Sequence, residues 1–535
     1  MKLDLLLHGG VVIDGTGRPA FPGDVGMVGG SIVYLGPRLD ADGGDCRDKA
    51  ENVIDVTGLV VAPGFIDIHT HSDLSLVHDP AAESKLLQGV TTEVVGNCGF
   101  SAFPSSGPRR EALLDHLARL GPGPAPTCWD DFDGYAGAVA ETPPAVNVAS
   151  LVGHGALRIA AMADPFGPAT TSDIERMAEL LSTALSQGAW GLSTGLTHTP
   201  SSLAHEDEVE RLAAVCGAHG ALYATHARVL AGHSLAAMEE AVRTSRRSGA
   251  RLQYSHLALH EPADWGATAD ALAIFDRATA EGLDVGFDVY PYDASSSDLM
   301  QYLPPWAQAG GSAQLAKSNE DPAWRGRALD EIRQGWFGGI PWLWDRVVIT
   351  AAGPDADVVG LSIDQISRRR QVPPEEVLLD LCVEAGSQAN AVLHYRMERD
   401  MVDFLRHPLS IVGSDGLAVS LSPAADKPHP RGFGTFPRVL GRYVRERQEL
   451  SLVDAIHKMT EAPARRLGLR GRGTIGVGQA ADVVAFDPDR VIDQATFLEP
   501  RQAPVGIEHV LVNGSLAVEH GQATQRFAGR SLRRH

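Results

Sequence analysis

The chain has 535 residues and a mass of 56.8 kDa. At ~100–200 residues per domain this means three or more units, or one large α/β barrel with additions. Hydrophobic residues make up 44% and charged residues 21%, which provides for a sizeable core and excludes wholesale disorder. A net charge of −21 argues against nucleic-acid and membrane-surface partners, because an acidic surface repels phosphate backbones and anionic lipid.

Residues 2–60 read as short strands: LLLHGGVVIDG, DVGMVGGSIVYLG and NVIDVTGLVV are β-branched runs broken by Gly-Gly and Asp-Gly turns. Residues 470–535 share that texture, with Asn513-Gly514 as a strong hairpin turn. The economical reading is one β-sandwich built from both termini, residues 1–60 and 469–535.

Between them, residues 61–468 alternate apolar strands with amphipathic helical stretches, the pattern of βα units. Candidate strands are 64–71, 90–97, 146–153, 188–195, 221–228, 251–258, 284–291 and 409–416. IERMAELLSTALSQG and SLAAMEEAVRTSRRSG each end in a glycine suited to a helix C-cap. Eight such units close a (β/α)8 TIM barrel, an α/β fold. RVVITAA (346–352) and AVLHYRM (391–397) are surplus to that count, and the Gly-, Pro- and Trp-rich stretch from about 294 to 345 reads as an insert after the seventh strand.

The five cysteines (Cys46, Cys98, Cys128, Cys216, Cys382) are scattered and form no CxxC, so they make no disulfide framework. The N-terminal MKLDLLLHGGVVIDG lacks a basic region and a cleavage site, and no run of 18 apolar residues is present to span a bilayer. A cytoplasmic location is the expectation.

Chemistry in a TIM barrel collects at the C-terminal strand ends. Here those ends carry His69, His71, Cys98, His226, His256 and Asp415. Nitrogen, sulfur and oxygen donors together are the ligand set of zinc or a similar borderline metal. Chance supplies about 0.7 HxH pairs in a chain with this many histidines. His69-x-His71 stands out because it ends an apolar strand, where a period of two points both rings to one face. Cys98, in GNCGFS, sits at a strand-to-loop corner and is open between metal ligand, nucleophile and buried core thiol. Asp415, in IVGSDG, reads as metal ligand and general base, against the alternative of a helix cap. His154 and Ser193-Thr194-Gly195 either bond substrate or shape their loops; His198, His205, His233, His260 and His394 lack a comparable setting.

Taken in order, Pro63 to Asp73 (PGFIDIHTHSD), Gly96 to Ser101 (GNCGFS), His226, His256 and Gly413 to Gly416 (GSDG) resemble the amidohydrolase superfamily, within it the D-aminoacylase branch. The resemblance runs almost end to end, through Gly476-x-Gly-x-x-Ala-Asp482-Val. It implies one zinc held tightly by Cys98, His226 and His256, and a second, weaker or absent, served by His69, His71 and Asp415. It also implies that Arg431 of His429-Pro430-Arg431 grips the α-carboxylate of a small N-acyl substrate, assisted by Tyr290 or Tyr292 and by Ser296. The implied reaction is hydrolysis of a linear amide, most simply N-deacylation of an N-acyl-D-amino acid, by zinc-activated hydroxide with Asp415 as general base and then acid.

The chain departs from that pattern at Ala258, where the family commonly carries a lysine for the carboxylate, and it has no arginine near Tyr302 for an acidic side chain. A deaminase would want a glutamate soon after His226, and HARVLAGH has none. A cyclic-amide hydrolase would want a bridging lysine, absent from the fourth strand, GAWGLSTG. A non-catalytic barrel would be expected to have lost donors.

Overall fold

The structure is a computed structural model describing residues 2–40, 48–105, 107–120, 127–353 and 355–534; Cys46 lies outside them. Eight short strands pair in parallel around the central unit: Phe65–Asp67, Val90–Val95, Asn147–Ser150 with Val152–Gly153, Gly191–Gly195, Leu222–His226, Arg251–Tyr254, Val285–Val289 and Ser410–Val412. The third strand is split. Its first half pairs with Val90–Val95 and its second with Gly191–Gly195. The ring closes just past the strands, where Asp415 N–H donates to the His69 carbonyl at 2.8 Å and His71 N–H to that of Gly416 at 3.0 Å. The closing hydrogen bonds thus run through three donor residues.

A buried ion pair sits beneath that seam. Lys85 Nζ donates to Asp67 Oδ2 at 2.7 Å and to Ser414 Oγ at 2.5 Å, and both charged side chains are inaccessible to solvent. Ser414 N–H donates to the other Asp67 oxygen at 2.8 Å. The network ties the first strand to the eighth; removing one partner would leave an uncompensated buried charge, at a cost of about 3–5 kcal/mol.

The connecting helices follow their sequence signals. Thr171–Gln187 opens on a capping box between Thr170 and Asp173 and stops at left-handed Gly188; Ser234–Ser248 stops at Gly249 in the same way. Among the described residues, no helix is long and apolar enough to cross a membrane.

The two surplus strands belong to the insert. Val347–Ala352 and Ala389–Leu393 pair antiparallel with each other, and Ser295–Asp298 pairs with the latter. This sheet has its own apolar core, including Leu299, Tyr302, Trp336, Val377 and Leu381. The insert therefore runs to about Leu393, well past the expected end near 345, before Glu398–Arg406 resumes the barrel helices.

Strands from both termini join in one nine-stranded sheet, with Val483–Phe486 antiparallel to Val60–Pro63. Asn513 and Gly514, both at positive φ, turn Ile507–Val512 into Ser515–Glu519.

Candidate active site

The strand-end donors converge. One ligand atom each from His69, Cys98, His256 and Asp415 all lie within 4.8 Å of one another. Cys98 Sγ is 3.3 Å from His69 Nε2 and 3.4 Å from His256 Nε2. Asp415 Oδ1 is 3.0 Å from His71 Nε2 and 3.4 Å from His69 Nε2. The His226 ring packs edge-on to that of His256 at 4.5 Å, and its Nε2 meets Thr197 Oγ1 at 2.7 Å. Tetrahedral zinc places sulfur and nitrogen ligands about 3.6 Å apart, so the Cys98 distances fit such an ion. His71 and His226 each also hold a buried Nδ1 with no hydrogen-bond partner among the described residues.

The backbone at these positions is unusual. Cys98, His256 and Asp415 have φ of 52°, 37° and 52°, the left-handed region that non-glycine residues seldom enter. Strain of this kind survives where surrounding structure enforces it and clusters at functional sites. Glycines make the room. A Cβ on Gly195 would lie 2.0 Å from the Cys98 carbonyl, and one on Gly413 would lie 3.0 Å from the His69 Cβ. Ser193 Oγ donates to the Gly96 carbonyl at 2.5 Å and accepts from Gly99 N–H at 3.0 Å, so the GLSTG strand shapes the Cys98 corner.

Charge is distributed to match. Burial alone would push the Cys98 thiol up, but His69 and His256 bring it well below the ordinary thiol value. Burial likewise works against ionisation of Asp415, yet Arg431 and the neighbouring histidines hold it well below the usual carboxylate range. Arg431 Nη1 lies 2.6 Å from Asp415 Oδ2. The result is a thiolate and a carboxylate facing one another across imidazoles.

A pocket opens over the cluster, lined by His71, Cys98, His226, His256 and Asp415 on one side. Arg431, Tyr290 and Ser296 also line it; the Arg431 guanidinium lies 4.8 Å over the Tyr290 ring, and its Nη2 donates to the Ser296 carbonyl at 3.3 Å. Two residues expected to bind substrate do not reach it. Tyr292 turns its hydroxyl to the Pro430 carbonyl and Asp493, both at 3.4 Å, beneath Arg438. His154 is fully buried, with Nε2 held by Glu208 Oε1 at 2.8 Å in a triad with Arg158. The Tyr292 hydroxyl and His154 Nε2 are committed to these partners, whereas His154 Nδ1 is buried with no partner among the described residues; neither residue lines the pocket.

Other residues escaped the sequence reading. Asp288 bonds His69 Nδ1 at 3.0 Å and accepts the His256 N–H at 2.8 Å. Its signal was its place in a barrel strand, DVGFDVYP, where a charge among apolar residues is costly unless paired. His198 and His260 line the pocket too, and burial keeps both well below the ordinary imidazole value. Arg119 lines the wall, paired with Asp298 at 3.2 Å.

The profile of the Amidohydrolase family matches residues 52–325 and 403–518. The chain is 39% identical to an N-acyl-D-glutamate deacylase of Alcaligenes xylosoxydans xylosoxydans over 533 residues, 100% of this chain and 97% of that one. It is 36% identical to a D-aminoacylase of the same organism, covering 99% and 98%. Among solved structures, N-acyl-D-glutamate deacylase of Bordetella bronchiseptica, complexed with zinc and a phosphonate mimic of the tetrahedral intermediate, superposes with a TM-score of 0.83 at 35% identity over all of both chains. A D-hydantoinase shares the fold at 16% identity and a TM-score of 0.54, covering 99% of each chain.

Proposed function

This chain belongs to the amidohydrolase family, and from that membership we propose that it is a zinc-dependent deacylase that hydrolyses the linear amide of an N-acyl-D-amino acid or a derivative of one. The observation that carries the reading is the meeting of His69, Cys98, His256 and Asp415 within 4.8 Å, with Arg431 against Asp415. Relatives named as N-acyl-D-amino-acid deacylases, similar over the whole chain, support it. The fourth strand, Gly191–Gly195, offers no lysine to bridge two metals, which weighs against a cyclic-amide hydrolase.

Cys98, His226 and His256 would hold the tighter zinc, and His69, His71 and Asp415 a second. Cys98 lies between the two sets, within 3.4 Å of a histidine from each. Bound zinc supplies Lewis acidity, which acidifies water and polarises an amide carbonyl. The chain's own residues do the rest. Asp415, ionised and held by Arg431, accepts the proton of the attacking water at a carboxylate oxygen and passes it to the leaving nitrogen. With the second site empty, His69, fixed by Asp288, or His71 would share the charge that grows on the carbonyl oxygen. Tyr290, Ser296 and Arg431 bind and orient the remainder of the substrate.

In this reading residues 1–60 and 469–535 form the β-sandwich, and residues 61–468 the barrel with its insert. The four described cysteines are buried and free, which suits a reducing cytoplasmic setting.

The test is Asp415→Asn. Zinc content by elemental analysis should persist at half or more of the wild-type level, while amide hydrolysis falls about 1000-fold or more. Hydrolysis at the wild-type rate would remove Asp415 as the base.

A further inference from the structure

Thr197 meets a donor of the cluster from behind, without touching the pocket. Its Oγ1 lies 2.7 Å from His226 Nε2. Thr197 is 6% exposed and does not line the cavity over the donors, whereas His226 does. The other ring nitrogen of His226, Nδ1, is buried with no hydrogen-bond partner among the described residues. One imidazole thus has one nitrogen held by a hydroxyl and the other left open. A buried polar atom without a partner is costly, so Nδ1 calls for a ligand from outside the chain. The ring packs edge-on at 4.5 Å against His256, which itself reaches Cys98 at 3.4 Å.

The fold brings Thr197 to this place. The strands Gly191–Gly195 and Leu222–His226 run parallel, with Gly195 opposite His226. The ladder continues one step further, where Leu196 N–H donates to the His226 carbonyl at 2.8 Å. The chain then turns, and His198 N–H donates to the Gly195 carbonyl at 2.9 Å. Thr197 therefore lies between two anchored amides, and its β-branched side chain is stiff at χ1. Its hydroxyl meets the imidazole already in position.

A neutral imidazole carries one proton, and a metal takes the nitrogen that lacks it. The hydrogen bond at the far nitrogen selects the tautomer and aims the ring. His69 is held by Asp288 at Nδ1, which leaves Nε2 towards Cys98. His226 is held the other way round. We propose that Thr197 is a positioning residue for the zinc site: its hydroxyl oxygen accepts the Nε2–H of His226 and so presents Nδ1 as the ligand atom. The inference rests on His226 being a ligand of the tighter zinc, and it adds a residue outside the donor set that governs metal affinity. Were Nε2 the ligand atom, the Thr197 hydroxyl would compete with the metal. Removing the hydroxyl would then leave zinc binding unchanged or tighter, so the direction of the change discriminates.

The experiment measures zinc dissociation constants of full-length wild type, Thr197→Val, Thr197→Ser and His226→Ala, by competition with a fluorescent zinc indicator. Thr197→Val keeps the shape and loses the hydroxyl; it should bind zinc about 10–100-fold more weakly. Thr197→Ser keeps the hydroxyl and should lie within about threefold of wild type, a rescue that a merely space-filling role would not give. Unchanged or tighter zinc binding by Thr197→Val, or an equal loss in Thr197→Ser, would overturn the proposal. If Thr197→Val does not fold, Thr197→Ala replaces it: a loss in Thr197→Ala that Thr197→Ser does not share supports the proposal, and equal affinities overturn it. His226→Ala separates this inference from the reading beneath it. Wild-type zinc affinity in His226→Ala would remove His226 as a ligand, whereas a loss there with none in Thr197→Val would remove Thr197 alone.

Discussion

Asp288 holds His69 by its Nδ1 at 3.0 Å across 219 residues of sequence. The same carboxylate oxygen accepts the His256 N–H at 2.8 Å, and the other accepts Gln253 Nε2 at 2.9 Å. One side chain on the seventh strand therefore sets the orientation of donors from the first and the sixth. Carboxylate–imidazole contacts of this kind fix the ring and raise its basicity. Asp288→Asn should weaken zinc binding about 10–100-fold, read by competition against a chromophoric chelator. Unchanged zinc affinity would show that His69 needs no such support.

Glu93, on the second barrel strand, is completely buried, with Oε2 accepting from Ser72 Oγ at 2.6 Å and Oε1 without a hydrogen-bond partner among the described residues. Burial, opposed by the charge of Lys85, pushes its carboxyl from 4.5 up to about 7. Between those two values the folded chain keeps a proton that the unfolded chain has released. Stability is therefore lost as pH rises through that window, with the full penalty reached above the folded value. Glu93→Gln has no proton to lose. Its stability relative to wild type, from denaturant melts, should improve between about pH 5 and pH 7.5, by roughly 3 kcal/mol at most. A pH-independent difference would contradict the protonated buried acid.

The lining of the pocket bears on which side chain the substrate carries. Phe100, Tyr302, Trp336 and Phe337 line it, and the two charges among them cancel: Arg119 is held by Asp298 and by Thr199. An acidic side chain would meet no spare cation there, whereas an apolar one would bury its surface against aromatic rings. N-acetyl-D-phenylalanine or N-acetyl-D-leucine should exceed N-acetyl-D-glutamate in kcat/KM by at least about tenfold. A preference for the glutamate derivative would mean that Arg119 releases Asp298 to bind it.

The donors were legible in the sequence because each ends a strand inside a short local pattern, as in GFIDIHTH, GNCGFS and GSDG. Period-two alternation and glycine punctuation survive in the primary structure. Partnerships across the barrel do not. Asp288 and Lys85 act through residues tens or hundreds of positions away, and nothing local marks them. The insert was underestimated for a related reason. RVVITAA and AVLHYRM have the β-branched texture of barrel strands, and only their antiparallel pairing sets them apart. Tyr290 and Tyr292 share strand parity, so periodicity could not choose between them; the chain leaves the seventh strand at Val289, and only Tyr290 lines the pocket.

The central claim is tested most directly by amine release from the two enantiomers of N-acetylphenylalanine, measured with zinc-loaded and chelator-treated protein. The D-enantiomer should be hydrolysed at least about 100-fold faster than the L-enantiomer, with activity lost on chelation and restored by zinc. Hydrolysis of neither enantiomer, preference for the L form, or full activity in the chelator-treated protein would contradict it.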